Sequence, residues 1–336
     1  MHIPGGERIP SDGGSTCEGA AHPIPHTIPR QRKSRASAHH RTVALLLLVT
    51  LLLGLGGFSP LNSRLLSTAA PDRDPAAHAS LVNQINPPDG YPLPASLGTI
   101  GRQLLAAGAI DEARFLQVYA QSGRPLTETQ LASLRQGSDA PIVINRENAY
   151  FLLNFFWAFG LTNQNPVLTE GPLIRYSKGQ IERFASTGGW TLGTRPVTAL
   201  YASIPVVALR REQQARLEAV AETVHRPCCD NPTAFPDCNH GMALLGLLEL
   251  MASRDASIEE MYQAARYVNA FWFPEQSLEL AIFFKMTRGL DFADADARQL
   301  SSADFSSATG SQRVHQWLAT NGLLEQPFSE SGSCGV

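Results

Sequence analysis

One apolar run, Gly241–Ala252, constrains the fold of this chain more than any other feature. Glu249 is its only charged residue. A helix that is apolar on every side must be buried on every side, so this run predicts the central helix of the fold. A second run, Asn148–Leu161, is almost continuously apolar and aromatic, yet it is too short to cross a bilayer. It predicts a second buried helix, with a helix lying along a membrane surface as the alternative.

Helical signals continue through most of the remaining chain. Thr127 with Gln130, and Ser257 with Glu260, have the spacing of capping boxes, in which each side chain bonds the other residue's backbone. No run shows the sustained alternation of apolar and polar residues that indicates a strand. We therefore predict an all-α protein, with an irregular multi-helix globular domain over residues 96–325.

The N-terminal part of the chain predicts export. Residues 42–63 contain no charged side chain, and a bilayer span needs about 17–25 residues. The basic segment Arg30–Arg35 precedes this run, and basic flanks stay on the cytoplasmic side. We predict a single-pass membrane anchor with the body on the extracytoplasmic side, or a signal sequence that is cleaved to release a secreted protein. The other predicted segments are a disordered basic N-terminus (1–41), a Pro-rich linker (64–95) and a disordered tail (326–336).

The distribution of charge and the missing motifs exclude several classes of partner. The chain has a net charge of −3, and because its first 41 residues are basic, the exported part is more acidic still. Such a surface does not suit nucleic acid, which needs clustered Lys and Arg. The Gly-rich stretch Gly188–Thr194 lacks the lysine of a phosphate-binding loop, and no C-x-x-C-H motif is present for covalent haem. We predict neither a nucleotide nor a haem cofactor.

Three of the five cysteines and a histidine lie close together just before the predicted central helix. They are Cys228, Cys229, Cys238 and His240. We expect Asp237 or Asn239 to cap the central helix, which places Cys238 at the helix N-terminus. There the backbone N–H groups and the helix dipole favour a thiolate.

The chemistry of these four side chains fits a thiophilic metal ion. Three thiolates and one imidazole, from Cys228, Cys229, Cys238 and His240, make a Cys₃His set that suits tetrahedral zinc. The soft sulfurs also suit Cu(I) or a heavier thiophilic ion. We predict a metal site formed by these residues, and we assign no catalytic residue. The spacing C-C-x₈-C-x-H is not that of the common zinc motifs, so the sequence does not identify the metal.

Two other interpretations of the cysteines stay open. An oxidising compartment allows a disulfide from Cys228 or Cys229 to Cys238, with the spare thiol buried or paired to Cys334, in an interaction module without metal. The third interpretation is a thiol oxidoreductase or hydrolase in which Cys238 and His240 form a nucleophile and base. Within the apolar run, Glu249 is predicted to pair with an arginine or to reach the surface. A buried acid with a raised pKa is the alternative.

The cysteine stretch, Cys228–Ala243, resembles an uncharacterised family of exported bacterial helical proteins with a CC-x₈-C-x-H-G-M motif. The likeness extends over about residues 81–325 and includes Asn145–Phe151 and Asn269–Pro274. The arrangement is also loosely similar to membrane-attached bacterial proteins with a PCYCGC motif, in which a Cys-rich loop precedes a helix. This chain reads Pro-Cys-Cys-Asp there and lacks the Cys-Gly-Cys part. The resemblance implies export and a helical fold, and no established activity.

Overall fold

The computed structural model describes residues 75–324 of the 336-residue chain. The predicted segments 1–41, 42–63 and 326–336 lie outside the described residues, as does the first part of the predicted linker. Within residues 75–324, none of the helices combines the length and the apolar character that a membrane crossing requires.

The described residues are mostly α-helical, as the sequence predicts. The first part contains α1 (Pro75–Ile85), β1 (Tyr91–Gly98), α2 (Ile100–Ala106), α3 (Glu112–Gln121), α4 (Glu128–Arg135), β2 (Ser138–Ile144) and α5 (Ala149–Thr162). Short elements follow: α6 (Pro166–Thr169), α7 (Pro172–Ser177), a 3₁₀ helix (Ile181–Arg183), α8 (Ala185–Gly188) and α9 (Val197–Leu200). The last part contains α10 (Arg211–Ala221), α11 (Asn239–Ser253), α12 (Ile258–Trp272), α13 (Pro274–Arg288), α14 (Ala297–Leu300), α15 (Ala303–Ser306) and α16 (Ala308–Thr320).

Local capping signals mark helix starts where the sequence predicts them. Helix α4 begins after a complete capping box of Thr127 and Gln130, and α12 begins after one of Ser257 and Glu260. In each box the side-chain oxygen of the first residue accepts a bond from the backbone N–H three residues later. These N–H groups have no partner inside the helix, so the cap satisfies them at little cost.

The two apolar runs form the paired central helices α5 and α11. Nearly every residue of both helices is buried, which confirms them as the core. The helices approach closely where Gly160 faces Gly246: a Cβ atom on Gly246 would lie 2.6 Å from the carbonyl oxygen of Phe156. Glycine at this crossing lets the two backbones touch, so α11 is fixed along its length against α5. This contact fixes the position of the start of α11.

A small sheet departs from the all-α prediction. Strands β1 and β2 pair antiparallel, with Tyr91 opposite Ile144 and a register shift between Leu93 and Ser96. Prolines at positions 92 and 94 of β1 hide the strand in the sequence, because proline cannot donate a ladder hydrogen bond. In a two-stranded sheet both strands are edges, where proline is tolerated.

The described end of the predicted linker is also folded. Helix α1 buries Leu81 and Ile85, which are four residues apart and therefore on one face, in a second apolar cluster with Leu278 of α13. Tyr91 of β1 stacks on Tyr267 of α12, with ring centroids 3.9 Å apart. The proline-rich composition predicts a linker over this stretch. From Pro75 onward, apolar contacts fix the chain onto the helical body instead.

Candidate metal centre

The candidate site begins at the first residue of the central helix. Cys238 is the N-cap of α11, and its Sγ accepts a hydrogen bond from the backbone N–H of Gly241 at 3.4 Å. The predicted position of Cys238 is therefore confirmed, but the cap is the sulfur itself. The prediction that Asp237 or Asn239 caps the helix is wrong. The Asp237 carboxylate is bonded to the guanidinium of Arg226, and Asn239 is already the first residue of α11.

The loop between α10 and α11, which carries the other two cysteines, is attached to the end of α10. The carbonyl oxygen of Val224 accepts bonds from both the backbone N–H and the hydroxyl of Thr233, at 2.8 and 2.9 Å. The backbone N–H of Ala234 donates to the carbonyl of Ala221 at 2.8 Å. These bonds close the loop on itself and bring its start and its end side by side.

The outer side of the same loop is attached to the start of α16. The carbonyl oxygen of Cys229 accepts a bond from the backbone N–H of Ala308 at 3.0 Å. The carboxylate of Asp230 accepts bonds from the backbone N–H and the hydroxyl of Thr309, at 2.7 and 2.9 Å. Hydrogen bonds within the chain, on two sides of the loop, therefore define the conformation of the cysteine loop.

Three sulfur atoms meet in this loop. The Sγ atom of Cys238 lies 3.4 Å from that of Cys228 and 3.6 Å from that of Cys229, and the latter two are 4.0 Å apart. A disulfide bond is about 2.05 Å long, and all three cysteines are free thiols. Cys228 is exposed, whereas Cys229 and Cys238 are partly buried. Within residues 75–324, these three side chains form a group whose ligand atoms could hold a metal ion.

A buried arginine lies behind the sulfurs. Arg226 is 0% exposed, and its Nε donates to Cys238 Sγ at 3.2 Å. Its Nη2 donates to Asp237 Oδ1 at 2.5 Å and to the Phe235 carbonyl at 3.4 Å, while Nη1 donates to the Asn231 carbonyl at 2.6 Å. The guanidinium is a rigid fork with five donors, and here it joins distant parts of the loop. Sequence reasoning missed Arg226, whose only signal is its position two residues before Cys228.

The first turn of α11 leaves room for this arginine. A Cβ atom on Gly241 would lie 2.5 Å from Nη2 and 2.6 Å from Cζ of Arg226. Contacts below 3.0 Å require a shift, so the guanidinium rests against the helix only because residue 241 has no side chain. The Gly241 of the predicted motif therefore has a packing role at the site.

The surroundings distribute charge unequally among the three sulfurs. Hydrogen bonds from Cys228 and Cys229, helped by the charge of Arg226, hold the pKa of Cys238 well below its usual range despite burial. The same network raises the pKa of Cys229, through its bonds with Cys228 and Cys238 and through burial. Cys228 is exposed as a residue, but its sulfur is packed against neighbouring atoms: the bond with Cys229 lowers its pKa, and the bond with Cys238 and desolvation of the sulfur raise it by more. Of the three sulfurs, Cys238 is therefore the one whose surroundings favour the thiolate form.

His240, the fourth predicted ligand, lies in the first turn of α11 and is 5% exposed. Its ring packs against Phe273 and Trp272, with centroids 4.5 and 5.7 Å away, and its Nδ1 has no hydrogen-bond partner among the described residues. Burial lowers the pKa of His240 to about 4, although the nearby Cys238 opposes the shift. The imidazole is therefore neutral near pH 7, which is the form that binds metals. His240 is outside the group of three ligand atoms that lie within 4.8 Å of one another. Its role as a ligand stays a prediction.

Glu249 lies further along α11 and is fully buried in the core. Its Oε2 accepts a bond from Asn163 Nδ2 at 3.0 Å, and its Oε1 has no partner among the described residues. Burial raises the pKa of Glu249 well above its usual range, while the Asn163 bond opposes the shift. The prediction of an arginine partner or a surface position is wrong, and the alternative, a buried acid with a raised pKa, is what the structure contains.

The fold and the site define a mostly α-helical protein with a three-cysteine cluster at the N-terminus of its central helix. Comparisons with protein-family models, curated proteins and solved structures find no match. The resemblance to exported bacterial helical proteins with a CC-x₈-C-x-H-G-M motif therefore stays a prediction.

Proposed function

We propose that this protein is a membrane-tethered, extracytoplasmic protein that binds a thiophilic metal ion of the zinc or Cu(I) type. The ligands are Cys228, Cys229 and Cys238, with His240 as the fourth. The observation that carries the proposal is the triangle of sulfur atoms, 3.4, 3.6 and 4.0 Å apart. Four-coordinate zinc with Zn–S bonds of about 2.3 Å places its sulfur ligands roughly 3.8 Å apart. The triangle thus has nearly the size of one face of a zinc tetrahedron.

Local charge favours zinc over Cu(I). Three thiolates leave a single negative charge around a divalent ion and a double one around Cu(I). The buried Arg226 pairs with both Cys238 and Asp237, so its single positive charge does not fully cancel the double negative charge that a Cu(I) site would have. Because charge is costly to bury without a partner, the ion that leaves the smaller net charge is the better fit.

His240 is the best placed fourth ligand on α11. Its imidazole is neutral and its Nδ1 lacks a hydrogen-bond partner within the described residues, so coordination would satisfy a buried polar atom. The ring must turn toward the sulfurs to bind, since its nitrogens do not yet share the 4.8 Å group. A solvent molecule or an external ligand takes the fourth position if the ring stays against Phe273 and Trp272.

The proposal of a membrane tether is based on the uncharged segment 42–63 and the basic residues before it. Both lie outside the described residues. Cell fractionation of the full-length chain tests it: we expect the protein in the membrane fraction, with the body accessible to protease from the extracytoplasmic side. A body protected from protease would contradict this orientation.

Metal content and free thiols, measured on one sample, test the metal site. The full-length chain carrying Cys17→Ser and Cys334→Ser, so that only the three site thiols remain, is purified without chelator or reductant. We expect about one metal ion per chain by elemental analysis, and three free thiols after denaturation. A Cys238→Ser variant should lose the metal. If the parent protein contained no metal and only one free thiol, a disulfide would be established instead.

That disulfide is the second candidate function, as a staple in an interaction module without metal. The short separations of Cys238 Sγ from the Cys228 and Cys229 sulfurs favour it. An oxidising compartment would supply the necessary conditions. The thiol count above separates the two candidates, because bound metal preserves all three thiols whereas the staple consumes two.

A further inference from the structure

We propose that the three-cysteine cluster exchanges its ion with an external thiolate, and that the ion enters and leaves through Cys228. The inference rests on the proposed metal binding and adds to it the chemical class of the partner, a donor or acceptor that presents a thiol. It distinguishes a transfer site from a structural one, in which the ion is held for the lifetime of the fold.

The first observation is that the three sulfurs are held to different extents. Cys238 Sγ bonds the backbone of Gly241 and the guanidinium of Arg226, and Cys229 Sγ lies 3.5 Å from Asp237 Oδ1. Among the described residues, Cys228 Sγ has hydrogen-bond partners only in the other two sulfurs. Cys228 is also the exposed member of the group. It is therefore the ligand that an incoming group reaches first and that leaves with the fewest other contacts broken.

The second observation is that the loop does not depend on an ion for its shape. Val224 and Ala221 hold the loop to the end of α10, and residues 308 and 309 hold its outer side. Arg226 connects the middle of the loop to Asp237 and Cys238. Structural zinc sites commonly supply the folding energy of their loop, and the metal-free chain is then unfolded. Here the protein's own bonds keep the site assembled after the ion leaves.

The exchange step follows from these contacts. The sulfur of an external thiol binds the ion at the open side and loses its proton, the bond between the ion and Cys228 Sγ breaks, and Cys228 takes up that proton. No electrons are transferred, and the ion keeps its charge. Cys229 and Cys238 hold the ion during the exchange, and Arg226 stabilises the Cys238 thiolate. Two further external thiols then displace Cys229 and Cys238 one after the other, each passing its proton to the cysteine that leaves, and the reverse order of steps loads the site.

The test measures zinc release from the full-length chain carrying Cys17→Ser and Cys334→Ser. The loaded protein is mixed with increasing concentrations of glutathione or of a peptide with two cysteines, and a chromogenic indicator reports free zinc. We expect the release rate to rise in proportion to thiol concentration while circular dichroism stays unchanged. A faster reaction with the peptide than with glutathione at equal thiol concentration would favour a partner that presents paired cysteines; equal rates would show that a single thiol is sufficient.

A second measurement identifies the leaving sulfur. Limiting iodoacetamide is added to the zinc-loaded protein, and the modified cysteine is located by mass spectrometry, with Cys228→Ser as the control. We expect Cys228 to be modified first. Initial modification of Cys229 or Cys238, or a release rate that is independent of thiol concentration and coincides with unfolding, would overturn the exchange proposal but leave metal binding in place. A protein that binds no zinc at all would overturn both.

Discussion

Two buried ionisable side chains, one packed against the first turn of α11 and one further along that helix, have very different hydrogen-bond partners. Arg226, in the loop before α11 and packed against the first turn of that helix, is fully buried, yet it donates hydrogen bonds to a sulfur, a carboxylate and two carbonyls. Glu249, also fully buried, has one hydrogen-bond partner, Asn163, and one oxygen without any among the described residues. The first site retains a charge and the second removes one.

The difference shows how a protein interior handles ionisation. Burial lowers the pKa of Arg226, but the sulfurs and Asp237 raise it by more, so that the guanidinium stays charged. Within residues 75–324 no cation opposes the effect of burial on Glu249, and the raised pKa favours the protonated carboxyl. Keeping a buried side chain charged costs more than neutralising it. The fold keeps the charged Arg226 beside the cysteines, where it stabilises the Cys238 thiolate.

Replacing the arginine should have the largest effect. Arg226→Met leaves Asp237 and the Cys238 thiolate without their cation, and removing one member of a buried ion pair costs about 3–5 kcal/mol of unfolding free energy. Urea denaturation measures the loss. Arg210→Met is the control, because Arg210 is 66% exposed in its ion pair with Asp255 and exposed pairs contribute less than about 1 kcal/mol. Equal losses in the two variants would contradict the role assigned to Arg226.

Glu249→Gln should sharpen the contrast through its pH dependence. The folded pKa of Glu249 is raised, so above its ordinary value of 4.5 the unfolded chain releases a proton that the folded protein keeps. The folded state then binds more protons, and its stability falls as pH rises, by up to about 1.4 kcal/mol per pH unit. Glutamine removes this slope. We expect the variant to gain stability relative to the parent as the pH rises above about 5.

Urea denaturation across this pH range measures the Glu249 effect. The exposed Glu222→Gln variant serves as a control for the loss of a carboxylate at the surface. If Glu249→Gln and the parent protein show the same dependence of stability on pH, the carboxyl is charged in the folded state and the comparison with Arg226 fails.

Gly241→Ala should have a smaller effect. The new Cβ would lie within 2.6 Å of the Arg226 guanidinium, which must move to relieve the contact. Overpacking of this kind costs about 1–2 kcal/mol where a side chain can shift. In an Arg226→Met background the alanine should cost less, because the crowded atoms are gone. Additive losses in this double-mutant cycle would mean that Gly241 does not act through Arg226.

Sequence reasoning succeeded where the determining contacts are local. The run Gly241–Ala252 predicts a buried helix because no face of it is polar, and Ser257 with Glu260 predicts a helix start because both partners lie within one turn. The cysteines were found by composition alone, since sulfur ligands are rare and these cluster. Their grouping into a triangle was a hypothesis that the structure bears out for Cys228, Cys229 and Cys238.

It failed where the determining contacts are distant in sequence. The pattern favoured Asp237 or Asn239 as the cap of α11, but Arg226 holds Asp237, which leaves the cap to Cys238. The attachment of Asp230 to Thr309 joins residues separated by 79 positions, and no periodicity encodes such a pair. Glu249 shows the same limit, because its partner Asn163 comes from the end of α5.

The capping sulfur leads to the smallest predicted effect and separates its two roles. Serine is a good N-cap, so with chelator present Cys238→Ser should change the unfolding free energy by only a few tenths of a kcal/mol, whereas Cys238→Ala should cost about 1 kcal/mol. With zinc present, both variants should lack the rise in melting temperature that ligand binding gives the parent protein. Thermal denaturation with zinc and with chelator measures both comparisons. A serine variant that is destabilised as strongly as the alanine variant in chelator would mean that the Arg226 contact, and not the cap, is what the sulfur contributes to the metal-free fold.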